Sequence, residues 1–256
     1  MSTWPEVTIV ICTYDRRAEF ERTLDGLIKN LSYPADRLKF MIADDHTPGN
    51  YVRDLQDLVE AKTGKIPLFS VTPRNMGWGR NVNIALQLVE SPYTFFTEDD
   101  YVLTKPLDLR VGIAMMEKSP EIGYIRYRGC AGDTLVFHQQ EVRIDNHLPH
   151  YQEGVGLPGR ATLLIIDGNS PALYIYTNGP HLKRNTFHRV YGYYIEGLKL
   201  GETEESFAHL VKDRMRSDPT TAPWIAILPD WIPMHFDHIG KSFQHTDKDN
   251  GGVSDV

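Results

Sequence analysis

"VTIVICTYDRRAEFERTLDGLIKNL", residues 7–31, carries two periodicities in succession. Its first seven residues form an unbroken apolar, β-branched run, the pattern of a strand buried on both faces of a parallel sheet. From Ala18 onward the period changes: Phe20, Leu24, Leu27, Ile28 and Leu31 recur at helical spacing. A strand that feeds a helix across a short polar turn is the first half of a β-α-β unit. The chain then repeats the unit. "LKFMIADD" (38–45) reads as a strand, "YVRDLQDLVEAKTG" (51–64) as a helix closed by Gly64, and "IPLFSVT" (66–72) as a strand. "GRNVNIALQLVES" (79–91) and "YTFFT" (93–97) add a third helix and a fourth strand. This order predicts an α/β fold with a mostly parallel central sheet, helices on both faces and right-handed crossovers.

In such sheets ligands bind at the carboxyl ends of the strands. The polar clusters lie there: "TYDRR" (13–17), "DDHTPGN" (44–50) and "EDDY" (98–101). Turn chemistry would account for any one of them. Three at the same sheet edge point to a site. Glu98, Asp99 and Asp100 repel one another unless a cation joins them, so the triplet reads as a cation site.

The second half is less regular. "IGYIRYR" and "TLVFHQQEVRI" look like strands, and "NHLPHYQEGVGLPGR" (146–160) is a Pro/Gly/His-rich loop. "ATLLIID" and "ALYIYTNG" suggest a hairpin around "GNSP". "ETEESFAHLVKDRMR" (202–216) is a helix with Phe207, Leu210, Val211 and Met215 on one face, and "WIAILPDW" is a short last strand. The expected organisation is one domain over 1–245, made of a nucleotide-side half (about 1–105) and a smaller mixed-strand half (about 106–245). The polar, Gly-rich end, 246–256, is expected to be a disordered tail.

Bulk properties exclude several classes. The 256 residues are 41% hydrophobic and 24% charged, ordinary for a globular domain. A formal net charge of −7 gives no footprint for nucleic acid, so such a partner is not expected. Cys12 and Cys130 make no disulfide framework, and Cys12 reads as a reduced core residue. No apolar stretch approaches bilayer length, and the N-terminus lacks a signal-peptide pattern. The expectation is a soluble, cytoplasmic chain.

The order of these motifs resembles the family 2 glycosyltransferases of the GT-A (Rossmann-like) fold: a strand ending in "CTYDR", one ending in "ADD", then "RNMGWGRNVNIAL", then a strand running into "EDD". The segment "RNTFHRVYGYYIEGLKLGETEESFAHLV" is similar to the family's acceptor-side stretch. The resemblance implies an inverting transferase moving a sugar from a nucleoside-diphosphate sugar, above all a UDP-sugar, to a hydroxyl acceptor. It places Thr13 and the ring of Tyr14 at the nucleotide base, Asp45 on the uracil edge and Arg80 near the nucleotide. Asn75, Gly77 and Gly79 would shape the loop before the helix that carries Arg80.

By the same resemblance, Asp100 holds a divalent cation and Asp99 contacts ribose or sugar hydroxyls. Glu98 stands where the family usually has Asp, which leaves the choice between Glu98 and Asp99 for the ribose open. Counting back from Phe207 puts Glu204 at the position of the general base, with Glu205 in reserve and Thr203 where the family has an acid. A C-terminal His would complete the metal site: His238 first, His235 behind it. An imidazole ligand favours Mn²⁺ over Mg²⁺. The alternative function is a non-catalytic nucleotide-sugar or carbohydrate-binding relative. A nucleotidyltransferase would need an early Gly-rich loop bearing Arg and Lys, which is missing. The sugar and the acceptor are not legible at this level.

Overall fold

The computed structural model of the protein describes residues 4–127, 137–143, 160–166, 168–170, 175–220, 222–227 and 236–239. The first half follows the sequence closely. β1 (Val7–Thr13) leads to α1 (Arg17–Asn30) and a short β2 (Leu31–Ser32); β3 (Leu38–Asp44) leads to α2 (Tyr51–Thr63); β4 (Leu68–Val71) leads to α3 (Trp78–Leu88) and β5 (Tyr93–Glu98). β6 (Tyr101–Leu103) and β7 (Leu107–Asp108) follow, then α4 (Leu109–Lys118) and β8 (Ile122–Arg126). The remainder comprises β9 (Phe137–Arg143), β10 (Arg160–Ile166), β11 (His181–Arg184), α5 (Phe187–Tyr191), α6 (Leu200–Ser217), β12 (Trp224–Ile227) and β13 (Phe236–His238).

The main sheet runs in the order β4-β3-β1-β5-β11-β8-β12-β10-β9. β4, β3, β1 and β5 are mutually parallel, as the β-α-β alternation requires. Beyond β5 the sheet turns mixed: β11 pairs antiparallel with both β5 and β8, and β10 pairs antiparallel with both β12 and β9. Alternation along β1 explains why its apolar run is continuous. Val7, Ile9 and Ile11 join one core with Phe20, Leu24, Leu27, Leu55 and Val59 of α1 and α2. Val10 and Cys12 join the other with Val82, Ala85 and Leu86 of α3 and Phe207 and Val211 of α6. Cys12 is free and buried, and burial pushes its thiol well above the usual range.

Three local expectations are corrected. β10 is flanked by β9 and β12, so it forms no hairpin around "GNSP", and residues 175–180 carry no strand. Ile28 and Leu210 lie at the edges of their helices' apolar faces and are 45% and 44% exposed. Several elements have no counterpart in the sequence reading: the short β2, β6, β7, α5 and β13, the helix α4, and β11, whose "HLKR" reads as polar yet fills the centre of the sheet. Residues 146–159, the tail at 246–256, Cys130 and His235 lie outside the described residues.

Candidate active site

The register of the parallel strands brings the polar clusters level with one another. Thr13 pairs with Asp44 and Cys12 with Glu98. The ladder then extends by one step on each side, as Asp45 N donates to Thr13 O (3.3 Å) and Asp99 N to Cys12 O (3.0 Å). The acids that follow β3 and β5 therefore stand beside the turn that follows β1.

Protein donors occupy the acids after β3. Asp44 is buried and accepts from Thr47 twice, at Oδ1 from the hydroxyl (2.6 Å) and at Oδ2 from the amide (3.0 Å). Burial pushes its carboxyl up, and the two Thr47 bonds oppose that. Asp45 Oδ1 accepts from Thr72 Oγ1 and Met76 N, and Oδ2 from Gly77 N, each at 2.8 Å. Asp45 thus ties down the loop that enters α3. That loop ends at Gly77, whose φ of 84° is strained for any residue with a Cβ. Two residues further, a Cβ on Gly79 would meet Ile195 O at 3.0 Å and Thr203 Cγ2 at 3.2 Å, so this glycine lets α3 close on the start of α6.

Thr13 is buried, with its hydroxyl 2.6 Å from Tyr51 OH, and Tyr14 is 43% exposed beside it. Arg80 projects from the first turn of α3 and binds both oxygens of Glu196 at 3.1 and 3.0 Å. Asn83 Nδ2 donates to Glu196 Oε1 (3.1 Å), and its amide also exchanges bonds with Tyr194 O and N. Arg80 and Asn83 together fasten the 194–196 segment to α3.

The triplet after β5 forms an acid corner. Arg16 Nη1 donates to Asp100 Oδ2 at 2.7 Å and reaches Asp99 Oδ1 at 3.4 Å. On the other side β13 pairs antiparallel with β6, putting His238 opposite Tyr101. The His238 ring tilts over that tyrosine (4.8 Å between centroids), with Nε2 3.3 Å from Asp100 Oδ2. Asp100 and His238, 138 positions apart in the sequence, are thus brought together. Asp99 Oδ2 and Asp100 Oδ1 are buried and have no hydrogen-bond partner among the described residues.

Burial is the main reason the Asp99 carboxyl is pushed up to about 7, with Thr13 and Arg16 working against it. Glu98 is pushed up well beyond the carboxylate range, first by burial and then by the charges of Asp100, Glu204 and Asp99, while Trp78 partly offsets them. Among the described residues no group of three or more His, Cys, Asp or Glu is arranged to hold a metal ion. Two bare oxygens beside an imidazole nonetheless fit a hard divalent cation in donor chemistry.

α6 separates the two candidate bases. Glu205 faces outward, half-exposed and 3.9 Å from His209 one turn on. Glu204 turns inward: its Oε1 accepts from Thr177 Oγ1 (3.0 Å) and from Asn178 N (2.8 Å). Thr203 is fully buried, and its hydroxyl bonds back to Lys199 O (3.0 Å), so it offers no acid to the site. Glu202 accepts from Lys199 N (3.2 Å) and caps the helix start. Trp78, Tyr194, Phe207 and Tyr176 form an aromatic wall beneath Glu204, with centroids 4.6 to 4.8 Å apart along the chain of contacts. Arg16, Tyr51, Thr47 and Asn83 escaped the sequence reading. Arg16 carried a signal, standing in "TYDRR" directly after the strand, whereas the others are visible only once α2 and α3 are docked.

A helix-flanked central sheet, parallel through β4, β3, β1 and β5 and mixed beyond, with its acids at the carboxyl edge, is the architecture of the GT-A class. The chain belongs to glycosyl transferase family 2, whose sequence pattern matches residues 8–171. No curated protein matches it in sequence.

Among solved structures, S. aureus TarS superposes with a TM-score of 0.59 at 17% identity, over 88% of this chain and 35% of TarS. TarS 1-349 in complex with UDP gives 0.60 at the same identity, with 58% of that fragment covered. The mannosyltransferase PcManGT from Pyrobaculum calidifontis, in complex with GDP-Man and Mn²⁺, gives 0.56 at 14% identity over 94% of this chain and 59% of the other. At such identities the likeness speaks for the fold alone. The chain spans between one third and three fifths of the length of these proteins. No helix among the described residues is long and apolar enough to cross a membrane.

Proposed function

We propose that the chain is an inverting glycosyltransferase that uses a nucleoside-diphosphate sugar, with a UDP-sugar as the first choice of donor. The observation that carries this reading is the acid corner at the carboxyl edge of the parallel strands. There the buried Asp99 Oδ2 and Asp100 Oδ1 have no hydrogen-bond partner among the described residues, and Asp100 Oδ2 lies 3.3 Å from His238 Nε2. UDP and UDP-GlcNAc complexes of TarS and a GDP-Man/Mn²⁺ complex of PcManGT support the donor class. Tyr14, exposed beside Thr13, offers a ring face to the base, and Asp99 faces the ribose or sugar hydroxyls.

Asp100 and His238 would hold a divalent cation, Mn²⁺ before Mg²⁺, which when bound neutralises the charge that gathers on a departing diphosphate. Glu204 acts as general base. The proton of the acceptor hydroxyl passes to its carboxylate as the acceptor oxygen bonds to the anomeric carbon and the bond to the diphosphate breaks on the opposite face. With Oε1 anchored by Thr177 and Asn178, the carboxylate keeps one orientation through this transfer. The aromatic wall behind it excludes water from that side.

The test is release of UDP from a panel of UDP-sugars with Mn²⁺, alongside calorimetric UDP binding. Asp100→Asn is expected to lose metal-dependent UDP binding while its melting temperature stays close to the parent's. Metal-dependent binding retained by a folded Asp100→Asn would overturn the metal assignment. A chain that binds UDP yet releases none from any donor would be the non-catalytic binding relative instead.

A further inference from the structure

The acid corner already contains a cation. Arg16 reaches it because the turn after β1 is pinned from three sides. Asp15 adopts a left-handed φ of 51°, a conformation that few residues with a Cβ enter. Its amide is held by Thr47 Oγ1 (2.8 Å), and the next amide, Arg16 N, by Tyr51 OH (3.2 Å). The same Tyr51 hydroxyl is bonded to Thr13 Oγ1 at 2.6 Å. Thr47 is itself fixed by Asp44, so the loop after β3 and the start of α2 set the direction in which Arg16 points. The guanidinium ends on Asp100 Oδ2, the oxygen that also lies 3.3 Å from His238 Nε2. Asp100 and His238 would hold a divalent cation through the same carboxylate that Arg16 now engages. A guanidinium nitrogen 2.7 Å from the oxygen that faces His238 competes for that oxygen and repels a second cation at the same carboxylate.

We infer that Arg16 is a resident counter-cation that competes with the divalent cation for Asp100. In the donor-free protein Arg16 neutralises the acid corner, and the metal is admitted together with the nucleoside diphosphate, whose phosphates draw the guanidinium off the carboxylate. Arginine suits this exchange because its planar fork pairs equally well with carboxylate and phosphate. Metal and nucleotide binding are thereby coupled, each raising the affinity for the other. The inference rests on the assignment of Asp100 as a metal ligand.

The experiment is a Mn²⁺ titration followed by the electron paramagnetic resonance signal of the free ion. It is run on the parent chain, Arg16→Gln, Arg16→Lys and Asp100→Asn, each with and without UDP. Arg16→Gln is expected to bind Mn²⁺ without UDP about ten-fold more tightly than the parent, a change of ~1.4 kcal/mol. It should also lose most of the enhancement that UDP gives. Arg16→Lys keeps the charge and should stay close to the parent, which separates competition by charge from any loosening of the turn. Equal Mn²⁺ affinity in the parent and Arg16→Gln, with binding lost in Asp100→Asn, would overturn the competition and leave the metal site standing. Binding retained in Asp100→Asn would remove the metal site and the inference with it.

Discussion

Two regions of the molecule handle buried polar groups in opposite ways. At the carboxyl ends of β1, β3 and β5 most acids have dedicated donors: Thr47 for Asp44, three donors for Asp45 and Arg16 for Asp100. Of their buried oxygens only Asp99 Oδ2 and Asp100 Oδ1 are left bare among the described residues. Around β11 the ionisable groups are buried with little to balance a charge. Lys183 Nζ donates to His188 Nε2 (2.9 Å), whose Nδ1–H donates to Gly192 O (2.9 Å), and Phe96 covers the amine at 5.3 Å. His181 donates from Nδ1 to Gly179 O (2.8 Å) and packs against Phe96 and Tyr124. Burial holds all three well below their ordinary values. The strand-end shelf sets its acids beside side-chain and backbone donors, whereas in the β11 core burial disfavours the charged form of the bases. Glu204 stands where the two meet, close to the aromatic core but bonded from only one oxygen among the described residues.

The largest effect should come at that boundary. Glu204→Gln keeps the shape and the Thr177 and Asn178 contacts but cannot take a proton, so turnover should fall by roughly 10²–10⁴-fold with donor affinity retained. Glu205→Gln, on the outward face, should change turnover little. Kinetics and UDP affinity for both variants check this. Equal losses in the two would erase the distinction between inward and outward carboxylates.

Next comes the shelf itself. Asp45→Ala leaves Thr72 Oγ1, Met76 N and Gly77 N without their acceptor, at an expected cost of roughly 2–4 kcal/mol. Urea unfolding measures the cost, with UDP affinity followed in parallel. Unchanged stability with lost affinity would show that Asp45 serves the base directly, as the family resemblance implies, rather than the loop into α3.

The smallest effect is the pH response of the β11 core. Unfolded imidazoles titrate near 6.5, whereas burial holds His181 and His188 well below that in the fold. The unfolded chain therefore binds more protons below that pH, and stability, complete above about 6.5, is lost as the pH falls. Each group contributes a slope of up to ~1.4 kcal/mol per pH unit. Lys183 acts in the same sense at higher pH, so stability should rise with pH toward the unfolded lysine's 10.5. Lys183→Met should flatten the limb between pH 7.5 and 9.5 and leave the acid limb in place. Urea unfolding at pH 5.5, 7.5 and 9.5 measures both. An alkaline limb unchanged by the substitution would mean that Lys183 is charged in the fold.

By itself, the sequence determined the four parallel strands, their helices and the sheet edge where the site lies. Those features depend on local period and on a handedness rule that holds for nearly all β-α-β units. The family resemblance, rather than periodicity, singled out Asp100, His238 and Glu204, and the structure brings Asp100 and His238 within 3.3 Å of each other. Only the tertiary structure decided what each acid touches. "HLKR" is polar in composition, yet it becomes a central strand because β5 and β8 both leave an edge that only backbone hydrogen bonds can satisfy. Thr203 packs on Gly79 of α3, a contact between residues more than a hundred positions apart that no local pattern shows. Arg16 reads as one more surface base until Thr47 and Tyr51, thirty residues downstream, turn it onto the acid corner. Periodicity is a property of neighbours in the chain, whereas a site's charge pairing is a property of neighbours in space.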